Sequence, residues 1–287
     1  ASKLFLFSPF ALFAVLFMGQ YDIIGLALGL LGYLSWLKKR NTRFIVLFAL
    51  ALSFKYIAIF IFLPLVLLRA RNLLQAAAWT GIAIVPVAIQ IVAFQGNEAF
   101  RENFLRQPIK LLLGDGSLST IQIAVRVIAL FIALGICIWL TKKNFDSDGA
   151  EAEFSLTAIL VSLTLLLVLV RWNPQWLIFA TPFWAFVQSR SSHKRLLGLI
   201  ELLGFLGLIF MIANLWKNNL DDSMISRGPF AGLFPNHNLR LDDFFSSDLL
   251  IFAIAAVYIA IIAPLAARLY QEHWRDSPRW PLRAEKF

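Results

Sequence analysis

Gly19-Gln20-Tyr21-Asp22 interrupts an apolar sequence, with residues 4–18 before it and 23–37 after it. In hydrocarbon every backbone group outside a helix must find a protein partner or water. A carboxamide and a carboxylate in such a place mark a turn at a membrane surface or the edge of a polar cavity. If residues 4–37 form a helical hairpin, Gln20, Tyr21 and Asp22 sit at its tip. Asp22 also has a plain reading as a helix N-cap, a position where Asp is favoured.

The rest of the chain supports a membrane setting. Its 287 residues are 60% hydrophobic and 15% charged, with mean hydropathy +0.75. Soluble domains average about a quarter charged. The expected fold is all-α: a polytopic transmembrane helix bundle, one multi-pass domain over residues 1–287. The net charge of +9 could indicate nucleic acid, but the basic residues cluster in short loops beside apolar runs. That pattern belongs to the positive-inside rule and to anionic membrane lipids. Cys137 is the single cysteine and lies within an apolar run, which excludes a disulfide and a cysteine metal site. The chain opens Ala1-Ser2-Lys3, and further residues are expected upstream.

A membrane span takes about 20 apolar residues. Residues 4–18, 23–37, 73–94, 121–140, 154–170, 176–187, 196–216 and 249–269 are the expected legs, with 176–187 barely long enough to cross. Residues 44–68 are interrupted by Lys55. As one helix they would hold a lysine at the bilayer centre, at about 2.5–3.5 kcal/mol on insertion scales. As two half-helices folded back they form a re-entrant hairpin with Lys55 at its tip. The hairpin places 17 of the 26 Lys and Arg residues on the cytoplasmic side, whereas a single crossing leaves the two sides evenly charged. The asymmetric arrangement is the expected one.

The extracytoplasmic face then receives the Gly19–Asp22 knot, loop 95–120, the turn Arg171-Trp172-Asn173-Pro174-Gln175 and loop 217–248. Within loop 95–120, residues 97–107 suit a short interfacial helix, with Phe100 and Phe104 four apart and Glu102 able to pair with Arg106. Residues 271–287 read as a basic, aromatic cytoplasmic tail. Lys55 is not placed as an ordinary surface lysine: an intramembrane ionisable residue is a functional hypothesis by default. Its plain alternatives are a carboxylate partner across the bundle, Asp22 or another acidic residue, or snorkelling to a surface. Asp146-Ser147-Asp148 has the Asp-x-Asp spacing of a metal–nucleotide site, yet beside Gly149, Glu151 and Glu153 it reads as a solvated acidic loop. A divalent metal is not indicated, and no Walker A, Rossmann or Ser-His-Asp pattern is present.

Three stretches in order carry a resemblance: Gly19-Gln20-Tyr21-Asp22-Ile23, Lys55-Tyr56 before Pro64 and Arg69, and Asn173-Pro174-Gln175-Trp176 before Pro182. Together they resemble integral-membrane glycosyltransferases of the GT-C class, over roughly residues 8–187. The nearest likeness is to the GPI mannosyltransferase-like and prokaryotic polyprenyl-phosphate-sugar-dependent branches. The resemblance implies inverting transfer of a mannose-like hexose from a polyprenyl or dolichyl phosphate to a glycan, lipid or protein acceptor. Transfer would take place on the extracytoplasmic side of the plasma membrane or endoplasmic reticulum. Asp22 would serve as base or acceptor contact, although the family's base lies in an outer loop that this sequence would carry upstream of Ala1. Lys55, Arg101, Arg106 and Arg171 would face the donor phosphate. Gln20, Tyr21, Tyr56, Asn173 and Gln175 would contact the sugar. A transporter or flippase for a lipid-linked sugar would use the same cavity without chemistry, and a non-catalytic membrane scaffold is a third reading.

Overall fold

Lys55 does break the run 44–68, and the break decides the path of the central helices. A computed structural model describes residues 2–13, 15, 22–101, 128, 131–136, 138, 139, 148–169, 174–190 and 193–215. All the regular structure among these residues is helical. Helix α1 is Ser2–Leu6, α2 Pro9–Leu12, α3 Asp22–Leu37, α4 Asn41–Phe54, α5 Ile59–Arg69 and α6 Leu73–Phe94. Then come α7 Glu98–Phe100, α8 Asp148–Leu169, α9 Thr181–Arg190 and α10 Lys194–Leu215, with 3-10 turns at Tyr56–Ala58 and Pro174–Phe179.

At the break Lys55 is extended (φ −153°, ψ 117°), between the end of α4 and the turn Tyr56–Ala58. Its own backbone stays satisfied: Lys55 N donates to Ala51 O at 2.9 Å, and Ala58 N donates to Lys55 O at 3.1 Å. The chain then folds back. The rings of Phe44 and Phe48 in α4 lie 5.2 and 5.1 Å from that of Phe62 in α5, which a continuous helix would hold about 21–27 Å apart. Helix α4 has 14 residues against 16 in α3, so the hairpin reaches as deep as its neighbour and Lys55 comes level with Asp22.

These helices share two ends, a tip at Asp22 and Lys55 and a base at the turn 38–40. Arg69 arrives at the base: one guanidinium nitrogen donates to Trp36 O at 2.9 Å, and its carbon lies 4.5 Å from the Trp36 ring centroid. Trp36 Nε1 in turn donates to Leu65 O at 2.9 Å. Helix α8 also begins at the base, where Glu151 approaches Arg69 at 3.9 Å and the hydroxyls of Tyr33 and Ser155 lie 3.0 Å apart. Segments 38–43, 69–72 and the start of α8 therefore lie together. Helix α6 climbs from the base to the tip, where Gln90 Nε2 donates to Ser53 O at 3.3 Å.

Close packing of α3 on α4 depends on glycine. A Cβ on Gly32 would stand 2.6 Å from the Phe48 ring, and one on Gly25 would stand 3.4 Å from the Phe54 Cβ. Small residues of this kind let helix backbones approach without a hydrophobic drive between them. Trp36, Phe44, Phe48 and Phe62 are fully buried in the resulting core. Helix α6 behaves differently. It buries little beyond Ala76 and Ala83 and exposes Leu74, Ile82, Val85, Ile89 and Val92. Among the described residues it is the helix long and apolar enough to cross a membrane, while α3, α4 and the segment Tyr56–Arg69 are shorter apolar helices.

Two expected legs are corrected. Residues 4–18 are not one helix: Ser8 caps α2 and Pro9 opens it, since proline lacks the N–H that would continue α1. Residues 176–187 do not cross as one helix either, because the turn Pro174–Phe179 ends at Ala180 before α9 starts. Of the interfacial helix 97–107, the short α7 is present, capped by Asn97 Oδ1 accepting from Phe100 N at 3.0 Å. Glu102 and Arg106 fall outside the described residues, as do the leg 249–269 and the tail 271–287.

Candidate functional site at the helix tip

Asp22 is the first residue of α3 and is almost wholly buried. The helix dipole favours a carboxylate in that first turn. The Lys55 ammonium stands 2.9 Å from Asp22 Oδ1, with the lysine side chain 18% exposed and the aspartate side chain not at all. Among the described residues neither Asp22 oxygen receives a well-directed hydrogen bond. The compensation is chiefly Coulombic, and the N-cap reading of Asp22 is not what the geometry shows. For Lys55 the plain alternative holds: it has a carboxylate partner across the helix pair.

Tyr56 follows at once in the 3-10 turn, half-buried, with its ring 5.9 Å from that of Trp176 at an interplanar angle of 89°. Trp176 belongs to the second 3-10 turn, which packs against Tyr56–Ala58, α2 and α3. Two short 3-10 turns thus meet beside the charge pair. The Trp176 indole N–H is buried without an acceptor among the described residues. Ile57, Ile178 and Phe179 in the same two turns are fully buried.

Asp22, Lys55 and Tyr56 are thus brought together, and the segment after Asn173 joins them through Trp176. Arg101 is exposed just beyond α7 and touches none of these groups in the described contacts. Gln175 has a described backbone in the second turn. Gln20, Tyr21, Arg106, Arg171 and Asn173 lie outside the described residues.

A second buried polar contact was not singled out from the sequence. Ser8 Oγ donates to Glu201 Oε1 at 2.5 Å, joining α2 to α10. Phe205, one turn further along α10, meets Phe10 and Phe13 edge-on at 5.5 and 5.9 Å. Glu201 interrupts an apolar run as Lys55 does, so the same rule for intramembrane charges would have flagged it. Among the described residues no group of three or more His, Cys, Asp or Glu gathers to hold a metal.

The chain is similar to the riboflavin transporter RibU of Streptococcus thermophilus, 25% identical over 180 residues, which are 60% of this chain and 80% of the relative. No family model matches the chain. No solved structure matches it.

This similarity corrects the expected function. The expected hexosyl- or mannosyltransferase acting from a polyprenyl phosphate is overturned, the named relative being a transporter. At the tip, Lys55 and Asp22, both expected in the site, form an ion pair with each other. The comparisons do not bear on the GT-C resemblance itself.

Proposed function

We propose that this chain is a multi-pass membrane transport protein that binds a small organic solute at the tip of α3, α4 and the two 3-10 turns. The observation that carries the reading is the similarity to a riboflavin transporter along 80% of that protein's length. Riboflavin is therefore the first solute to test. The interrupted helices around the tip add support, because transporters bind solutes where broken helices meet and irregular backbone lines a polar site. So does the lipid-like dress of α6, whose exposed face is apolar along its length.

The orientation proposed follows the basic residues. Lys38, Lys39, Arg40, Arg43, Arg69 and Arg71 collect at the base, which the positive-inside rule assigns to the cytoplasm. The tip then opens to the outer face, and the hairpin α4–α5 reaches that face from within. Anionic headgroups at the base would be the lipid partners.

The test is uptake. Cells that cannot make riboflavin, given the full chain, should accumulate labelled riboflavin above cells carrying an empty vector. Growth that stays dependent on high external riboflavin would reject this solute. Translocation of a polyprenyl-phosphate-linked sugar by the same cells would keep transport and change the cargo.

A further inference from the structure

Resting on the transport reading, we infer that Glu201 is a proton-binding site through which this chain drives its solute with a proton gradient. Glu201 lies in α10 and is 7% exposed. Its partners are uncharged. Ser8 Oγ donates to Oε1 at 2.5 Å, and the Trp184 indole approaches the carboxyl without a well-directed hydrogen bond. No Lys, Arg or His among the described residues forms an ion pair with it. Of the elements packed on α10, α2 has no titratable side chain and α9 has Arg190 alone, its last residue. His193, Lys194 and Arg195 at the start of α10 are exposed, as is Lys3 in α1.

These surroundings set Glu201 apart from Asp22, whose charge is offset by Lys55. One proton gained or lost at Glu201 changes its burial cost by that of a dry, unpaired charge. Carboxyl groups placed so within a membrane mark proton routes. Gln188 supplies the approach. It is 4% exposed, its Oε1 has no partner among the described residues, and its Nε2 donates to Lys194 O at 3.2 Å. A buried oxygen left unpaired needs a cause, and a passing proton carrier such as water is one. A Cβ on Gly198 would stand 3.0 Å from that Nε2. Gly198 and Glu201 are three apart on α10, and Trp184 and Gln188 four apart on α9, so each pair shares one helix face. The carboxamide thus stands about one turn from Glu201, towards the exposed start of α10. The step is the carboxylate taking up one proton from water on one side and returning it on the other. Ser8 carries the change onward, because it caps α2, and α2 packs on the turn Pro174–Phe179 at the tip.

The test uses liposomes that hold the purified full chain, with riboflavin as the probe. With the interior one pH unit more alkaline, riboflavin should accumulate about tenfold if one proton accompanies each molecule. Glu201→Gln keeps an oxygen for Ser8 but carries no proton, and should lose this accumulation while counterflow persists. Infrared spectra of the purified proteins read the site without transport. A carboxylic-acid C=O band should fade as the buffer is made alkaline and be absent from Glu201→Gln. Where unfolding temperatures show that variant misfolded, Glu201→Asp should move the band without removing it. Counterflow that ignores the pH gradient would overturn the coupling and leave transport standing. A titrating Glu201 band in a chain that moves no riboflavin would keep the proton site and remove riboflavin transport. A band that does not titrate, or that Glu201→Gln retains, would overturn the site. Accumulation driven by a sodium gradient at equal pH, and lost in Glu201→Gln, would overturn the proton in favour of a metal cation.

Discussion

At the scale of single residues, the ion pair at the tip is lopsided, and its two halves should not tolerate loss equally. Removing one partner of a buried pair costs about 3–5 kcal/mol when the other is left charged and unsolvated. Asp22 is fully enclosed whereas Lys55 retains some exposure. Lys55→Met should therefore lower stability markedly, and Asp22→Asn by less, because the freed ammonium can turn toward water. The double variant should recover most of the loss, since paired replacement of buried charges is often close to neutral. Thermal unfolding of the four purified proteins in one detergent decides this, and equal losses in both single variants would refute the asymmetry. Part of this pair was legible beforehand: an unaccompanied lysine within 44–68 demanded an anion. Its partner was legible only as one candidate among the acidic residues, because Asp22 is 33 positions away and meets Lys55 only once α4 has turned back. Glu201 was passed over for the opposite reason, its partner being an uncharged serine that sequence patterns do not connect to it.

At the scale of elements, two contacts make separate demands. Helices α3 and α4 approach as closely as Gly32 permits, and an added methyl would strike the Phe48 ring. Gly32→Ala should destabilise by about 1–3 kcal/mol, the usual range for overpacking. Gly29→Ala should cost far less, since its nearest neighbour would be 3.9 Å away. Combining Gly32→Ala with Phe48→Leu should restore part of the loss, and equal effects at the two glycines would contradict the packing described. Between α2 and α10, Ser8→Ala removes the serine donor from the buried Glu201 carboxyl, at about 1–3 kcal/mol. Ser8→Thr, which keeps the hydroxyl, should lose less in the same unfolding assay. The elements themselves were partly readable. Lys55 announced the break between α4 and α5, but Ser8-Pro9 and Ala180 ended helices inside runs that hydropathy alone treats as continuous.

At the scale of the whole molecule, the basic segments 38–43 and 69–72 share one end because the hairpin returns Arg69 to Trp36. Single cysteines at Asn41 and Asn72, in a chain with Cys137 replaced, should both resist an impermeant thiol reagent added outside intact cells. Labelling of one position alone would place the hairpin across the membrane once and contradict the proposed orientation. Charge distribution carried this arrangement in the sequence, and the fold-back of α4 onto α5 gives it a physical basis. What composition could not carry was the choice between transferase and transporter, because a charge pair and aromatic turns serve both alike. The deciding measurement is riboflavin counterflow into liposomes that contain the purified full chain and are preloaded with unlabelled riboflavin. Labelled riboflavin should enter transiently above its equilibrium level, as solute exchange through a carrier requires; entry no faster than into protein-free liposomes would contradict the account.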